Sequence, residues 1–332
     1  MLNLCSYNIE NFTDLFENDN SLKTAPQAVE RCQAIADVLK HIDSDLIGIV
    51  EAPRSRSSSG QSTTIKLENF ARVHGLRTDK AMTGYLSAGS QEIALLYDST
   101  KVRASHAPGG NARSKSNPKF DGDFYFDTDD DRIKEVYSHY RPPLEAKITV
   151  KESGRSFRLL VVHTKSKGIF NSVDLLHLER ESRRNRLKIF AECSWIRRRV
   201  DEFLKKDWDV VVMGDVNDGP GMDFYEMRYG KSGVEVIMGS NYEPDRILRN
   251  FAGKPKWTRN GWRPSTVRFK DRITGTYINV LIDHILTSPG LKASGPDSYI
   301  IWNPHETRTA SEIREALVMA SDHYPVSLTL NI

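Results

Sequence analysis

The stretch Val210-Val211-Val212-Met213-Gly214-Asp215-Val216-Asn217-Asp218-Gly219-Pro220 decides how this chain is read. An apolar run rich in β-branched residues breaks into a glycine and then delivers a carboxylate and an amide two positions apart. Such a run is a buried strand with its polar cargo at the C-terminal end. Period-two alternation puts Asp215 and Asn217 on the same side of the extended chain. The pattern recurs: Leu46 to Val50 leads into Glu51, Leu159 to Val162 into His163, and Val280 to Ile282 into Asp283-His284. Each of these strands is expected to finish in a metal-binding or proton-handling residue.

With 332 residues, 39% hydrophobic and 27% charged, the chain is long enough for one large layered core or two ordinary domains. No apolar stretch approaches the roughly 20 residues needed to span a bilayer. The opening Met1-Leu2-Asn3-Leu4-Cys5-Ser6-Tyr7 lacks the charged-then-apolar layout of a secretory signal, so cytoplasmic residence without a membrane partner is expected. Cys5, Cys32 and Cys193 are widely separated and have no zinc-like spacing, which makes them reduced structural residues. A formal charge of +3 tolerates a polyanionic partner without demanding one.

Leu2 to Tyr7 alternates like a strand and opens onto Asn8-Ile9-Glu10-Asn11. Apolar residues at Val29, Cys32, Ile35, Ala36, Leu39 and Ile42 have helical spacing, giving a strand, helix, strand unit that ends in the Leu46 strand. Pro53 to Gln61 reads as a loop, Ile93 to Tyr97 as a buried strand, and Ser105 to Asp131 as an irregular surface excursion low in aliphatics. Glu145 to Val150 and Phe157 to Val162 form a hairpin around Glu152-Ser153-Gly154-Arg155. Leu175 to Leu204 is one long helix, with Arg180, Arg183, Arg184, Arg197, Arg198 and Arg199 expected on its solvated face. Gly219 to Arg272 is loop-rich; its Trp257, Trp262 and Arg263 either pack the insert against the body or stack on bases.

Taken in order, Tyr7-Asn8-Ile9-Glu10-Asn11, Ile49-Val50-Glu51, His163-Thr164-Lys165-Ser166-Lys167, Gly214-Asp215-Val216-Asn217-Asp218, Ile282-Asp283-His284 and Ser321-Asp322-His323-Tyr324-Pro325 form a recognisable set. It resembles the endonuclease/exonuclease/phosphatase superfamily, and the resemblance runs from Asn3 to about Leu330, so 1–332 reads as a single catalytic domain. The resemblance implies a four-layer α/β sandwich: two mostly antiparallel β-sheets packed face to face, helices outside, and the site where strand tips converge.

The resemblance also implies roles. Glu51 is the principal ligand of Mg²⁺ or Mn²⁺, with Asn8 beside it and Asp322 closing the sphere or holding a second ion. Hard oxygen donors suit those cations. Asp215 and Asn217 face the attacking water and the scissile phosphate; His323 contacts phosphate or acts as base, with Asp283 holding its tautomer. His163 occupies the place where deoxyribonuclease-like and sphingomyelinase-like members carry a histidine near the phosphate, a feature that argues against abasic-site repair. The glutamate that braces it in pancreatic-type enzymes is missing from Arg141-Pro142-Pro143.

His163-Thr164-Lys165-Ser166-Lys167-Gly168 and Arg141-Pro142-Pro143-Leu144 look like signatures of bacterial nuclease members. Arg141, Lys165 and Lys167 are the expected contacts to a polyanionic backbone. The expected function is metal-dependent hydrolysis of nucleic acid, DNA favoured over RNA, leaving 5′-phosphate ends. The alternatives are a phosphohydrolase of a lipid headgroup or inositol phosphate, which the polar loops at Pro53, Ser105 and Gly219 disfavour, and a catalytically dead nucleic-acid binder. The second would have lost some of the acidic and imidazole set, and none is lost.

Overall fold

A computed structural model describes residues 1–55, 60–169, 174–220, 226–228, 230–252, 264–270, 275–306 and 309–332. Trp257, Trp262 and Arg263 lie outside the described residues, as does part of the loop expected after Pro53.

The chain opens as β1 (Leu2–Asn8), α1 (Pro26–Ile42), β2 (Leu46–Ala52), α2 (Gln61–His74), β3 (Lys80–Thr83) and β4 (Glu92–Tyr97). Then come β5 (Val102–His106), the short hairpin β6 (Phe124–Phe126) and β7 (Glu135–Tyr137), β8 (Leu144–Val150), β9 (Ser156–His163), α3 (Leu175–Leu204) and β10 (Val210–Asp215). After α4 (Gly233–Met238) follow β11 (Arg249–Asn250), β12 (Val267–Lys270), β13 (Tyr277–Val280), β14 (Asp283–Thr287), β15 (Tyr299–Ile301), α5 (Arg314–Ala320) and β16 (Val326–Leu330).

Among the described residues two six-stranded sheets form, ordered β15-β16-β1-β2-β4-β3 and β11-β14-β10-β9-β8-β5. Each is antiparallel except at one pair: β1 with β2 in the first, β9 with β10 in the second. Parallel neighbours need a crossover, and here each is a helix, α1 and α3 respectively. The C-terminal tips of both parallel pairs therefore emerge at one end, bringing Asn8 and Glu51 from one sheet towards His163 and Asp215 from the other.

Alternation along the strands sorts side chains into layers. Leu2 and Leu4 join Val161, Val211, Met213 and Ile285 between the sheets, whereas Cys5 and Tyr7 face the core with Cys32, Ile35, Leu39, Phe70 and Leu317. On the far side Val210 and Val212 pack against Ile189, Cys193, Ile196 and Val200 of α3. The result is the four-layer α/β sandwich, helix, sheet, sheet, helix. Each fully buried aliphatic contributes about 1.5–3 kcal/mol relative to exposure, so the layers are held mainly by burial. Gly214 is demanded by the packing: its φ is +138°, and a Cβ there would stand 2.0 Å from the carbonyl oxygen of Val162.

Local signals explain the long elements. Pro26 starts α1 at a position where no N–H is needed, and Asp43 ends it in the left-handed region. Asp174 caps α3 by accepting the N–H of His177 at 2.7 Å.

Three expectations are corrected. Asp283 opens β14 instead of ending a strand, because the chain leaves the small β12-β13 sheet at Val280 and both Ile282 N–H and Asp283 N–H turn to the Thr266 hydroxyl at 3.1 Å. Arg199 is fully buried, not solvated: its guanidinium pairs with Glu145 and donates to the Pro118 carbonyl at 2.6 Å. The excursion from Ser105 to Asp131 is anchored by aromatics, with Phe124 stacked on Trp195 at 5.1 Å and Phe120 buried alongside.

Candidate active site

In the second sheet His163, Asp215 and Asp283 stand in one transverse row, since Asp215 is the register partner of both. The first sheet supplies Asn8, whose amide nitrogen donates to Asp215 Oδ2 at 3.2 Å and lies 3.4 Å from His323 Nε2. Ser321 ties the last motif to the first: its hydroxyl donates to the Asn8 carbonyl at 2.8 Å and accepts the His323 N–H at 3.1 Å. Asp215 Oδ2 thus has imidazoles on two sides, with His163 Nε2 at 3.5 Å and His323 Nε2 at 3.9 Å.

The two imidazoles carry different charges. Burial disfavours the cationic form of His323, but the carboxylate of Asp283, 2.9 Å from Nδ1, together with Asp215 and Asp322, overcomes it and lifts the group to about 10. His163 is driven well below the usual histidine range by burial and by the neighbouring Arg141 and His323 cations. Its Nδ1 is buried without a hydrogen-bond partner among the described residues, in keeping with the missing glutamate in the Arg141 segment. Burial and the Asp283 charge raise Asp215 above the carboxylate range, and the His323 cation opposes them.

Asn217 adopts φ +51°, which turns the chain after the strand; its N–H reaches Asp215 Oδ1 at 2.7 Å and its side-chain amide donates to the Thr164 carbonyl at 3.0 Å. Glu51 likewise has φ +58°, at a register shift between Val50 and Ala52, so a bulge re-aims its carboxylate. Its Oε2 accepts from the Asn11 N–H at 2.9 Å and from Gln91 at 2.5 Å. Asp322 sits exposed on the same rim, its carboxyl raised by desolvation and by Glu51 and Asp283 against the pull of His323.

These residues fit a hard divalent cation. Asn8 Oδ1 is buried and has no hydrogen-bond partner among the described residues, leaving an oxygen donor free to join the carboxylates of Glu51 and Asp322 around a cation. Asp215, Asp283 and His323 also place ligand atoms within 4.8 Å of one another, but there Nδ1 of His323 is committed to Asp283, a contact suited to proton handling.

Of the expected phosphate contacts, Arg141 is half-buried at the site. It donates to Gln91 Oε1 at 2.8 Å and to the Thr164 carbonyl at 3.2 Å, while its Nε has no partner among the described residues. Burial lowers its pKa, countered by Glu192, Asp215 and Glu51, and a guanidinium set among carboxylates with a spare N–H suits a phosphate oxygen. Lys165 is partly buried, its pKa lowered by burial and by the Arg141 and Lys188 cations. Lys167 is drawn elsewhere, into ion pairs with Asp218 and Glu226, each at 2.6 Å.

Three supporting residues escaped the sequence reading. Gln91, directly before the Ile93 strand, links Arg141 to Glu51. Ser321 was visible only as a neighbour of Asp322. Glu192 is buried on α3 and accepts the Lys165 N–H at 2.7 Å; an isolated glutamate among apolar helix positions was its one signal.

A search of curated proteins found no match. Among solved structures, an endonuclease/exonuclease/phosphatase family protein from Bacteroides thetaiotaomicron superposes with a TM-score of 0.53 at 15% identity, covering 99% of this chain and 94% of that one. TDP2 from Caenorhabditis elegans gives 0.54 at 14%, with 100% and 75% covered. A mannosyl-6-phosphatase from Bacteroides thetaiotaomicron gives 0.50 at 15%, with both chains fully covered. At such identities the likeness shows the fold. The model of the Endonuclease/Exonuclease/phosphatase family matches residues 5–323, nearly the whole length, and the chain belongs to that family.

Proposed function

We propose that the chain is a nuclease: a phosphodiesterase, dependent on Mg²⁺ or Mn²⁺, that hydrolyses nucleic acid, DNA in preference to RNA, and leaves 5′-phosphate ends. The observation that carries this reading is the pair of imidazoles around Asp215, one cationic and one neutral, with the half-buried Arg141 beside them. Asp215, raised towards neutrality, accepts a proton from the attacking water. The His323 imidazolium, its Nδ1–H given to Asp283, offers its Nε2–H to a non-bridging oxygen. Asn217 and Arg141 orient the phosphate without adding negative charge, and neutral His163 packs against Asp215 to hold it in place. A divalent cation held by Glu51, Asn8 and Asp322 would neutralise the phosphate and stabilise charge on the leaving oxygen.

Support for a diester of nucleic acid over a small phosphomonoester comes from the His163-Thr164-Lys165-Ser166-Lys167-Gly168 signature and from the cations Arg141 and Lys165 set around the site. The test is incubation with supercoiled plasmid, labelled single-stranded DNA and RNA, with Mg²⁺, Mn²⁺ or chelator, followed by end-group analysis. Metal-dependent cleavage giving 5′-phosphate ends is expected. Turnover of sugar or inositol phosphates with every polymer intact would replace the nuclease reading by a phosphatase.

A further inference from the structure

A groove of about 810 Å³ runs between the segment Val136–Ser138 and one face of α3. Its helical wall carries Arg180, Arg183, Arg184 and Lys188, with Glu179 as the acidic exception. The basic positions fall at i, i+3, i+4 and i+8, a single stripe on the helix. At about 1.5 Å rise per residue that stripe extends roughly 12 Å, long enough to follow more than one phosphate of a strand. Apolar and aromatic surface interleaves with the charge: Leu176 is 71% exposed and Val136 55%, and Tyr137 is steadied by a 2.7 Å hydrogen bond between its hydroxyl and Thr128.

Each wall is tied, by chain or by contact, to a residue at the active site. Ser138 precedes Arg141 by three positions. On the helix, Lys188 Nζ lies 3.9 Å from Glu192, whose other oxygen takes the N–H of Lys165, two residues after His163. The outer cations are only loosely engaged: Arg183 meets Asp129 at 3.8 Å and Arg184 meets Glu181 at 3.6 Å, with side chains 54% and 77% exposed. Exposed pairs of this kind are worth little and yield readily to a phosphate.

We infer that this groove is a binding track for single-stranded nucleic acid, in which the arginine stripe of α3 follows the phosphates and Leu176, Val136 and Tyr137 receive base faces, feeding the strand to the hydrolytic centre. The inference rests on the nuclease reading above and adds to it the path of the substrate. A stripe of cations interleaved with flat apolar surface matches a polymer that alternates phosphate with π-faces. A small sugar phosphate held at Asp215 would not extend along it.

The test compares the parent with Arg180→Glu/Arg184→Glu on a labelled single-stranded oligonucleotide and on bis(p-nitrophenyl) phosphate, across a salt series. Neither residue touches the hydrolytic centre, so turnover of the small diester reports that fold and chemistry are intact. The expected result is a KM for the oligonucleotide raised on the order of tenfold, a log KM against log salt slope smaller by about 1.4, and an unchanged small-diester rate. An unchanged oligonucleotide KM and slope overturn the track while leaving the nuclease intact. Equal losses on both substrates overturn it as well, because the effect is then not one of polymer binding. If the parent turns over the small diester and leaves oligonucleotides whole, the nuclease reading itself fails and the track with it.

Discussion

His323 Nδ1 lies 2.9 Å from Asp283 Oδ2, and this contact joins a loop before the last strand of one sheet to the first residue of a strand in the other. It sets both the tautomer and the charge of the imidazole. In metal-free protein, NMR titration is expected to place His323 at about 10, with His163 remaining neutral through the histidine range. Asp283→Asn should bring His323 down towards its ordinary value of about 6.5. A parent His323 that titrates near that ordinary value would break the assignment of one cationic and one neutral imidazole.

The same shifts set a pH dependence of stability without metal. The folded value of His323 is about 10, above the unfolded value, so its contribution is fully present below about 6.5 and is lost as pH climbs towards 10. Asp215 is also raised on folding, so its contribution is present below about 3.9 and lost as pH rises through its folded value. Stability of the chelated protein relative to His323→Gln should therefore shrink between about pH 6.5 and 10. Denaturant unfolding of both at several pH values measures it; a constant difference is the contrary result.

Glu51 combines a left-handed backbone with the ligand role proposed for it. Glu51→Ala and Glu51→Gly both remove the carboxylate, and both should weaken Mg²⁺ binding in calorimetry. Only glycine takes the φ +58° conformation freely, so the glycine variant should be the more stable of the two by about 1 kcal/mol. Parental Mg²⁺ affinity in either variant would remove Glu51 from the ligand set.

Arg199 and Glu145 form a fully buried pair under the aromatic excursion. Arg199→Met strands Glu145 and should cost about 3–5 kcal/mol in denaturant unfolding. The double replacement Arg199→Met/Glu145→Leu should recover most of that loss, because it removes both buried charges. Equal instability in the single and double variants would mean that packing, not charge pairing, holds this region.

Much of this was legible in the chain. Apolar runs ending in polar residues located β2, β9 and β10, because that signal follows from burial on one or two sides of a strand, whereas alternation did not carry from Asp215 to Asn217, which lies beyond β10 in a left-handed turn. Asp283 was found as a residue but assigned to the wrong end of a strand, since a hydroxyl from distant Thr266 ends the pattern. Arg199 read as solvated because its partner Glu145 is 54 positions away. Lys167 looked like its neighbour Lys165 until Asp218 and Glu226 came into range. In each case the missing information was a contact remote in sequence, which periodicity does not carry.

The centre of the site is Asp215, the residue that touches Asn8, His163 and His323. The most direct measurement is Mg²⁺-dependent cleavage of a labelled oligonucleotide by Asp215→Ala beside the parent, with unfolding curves for both. Turnover lower by about 10²–10⁴ with an unfolding midpoint at or above the parent's is the expected result, since the substitution removes the proposed base and relieves repulsion with Asp283. Near-parental turnover in a folded variant would contradict a hydrolytic centre built on Asp215.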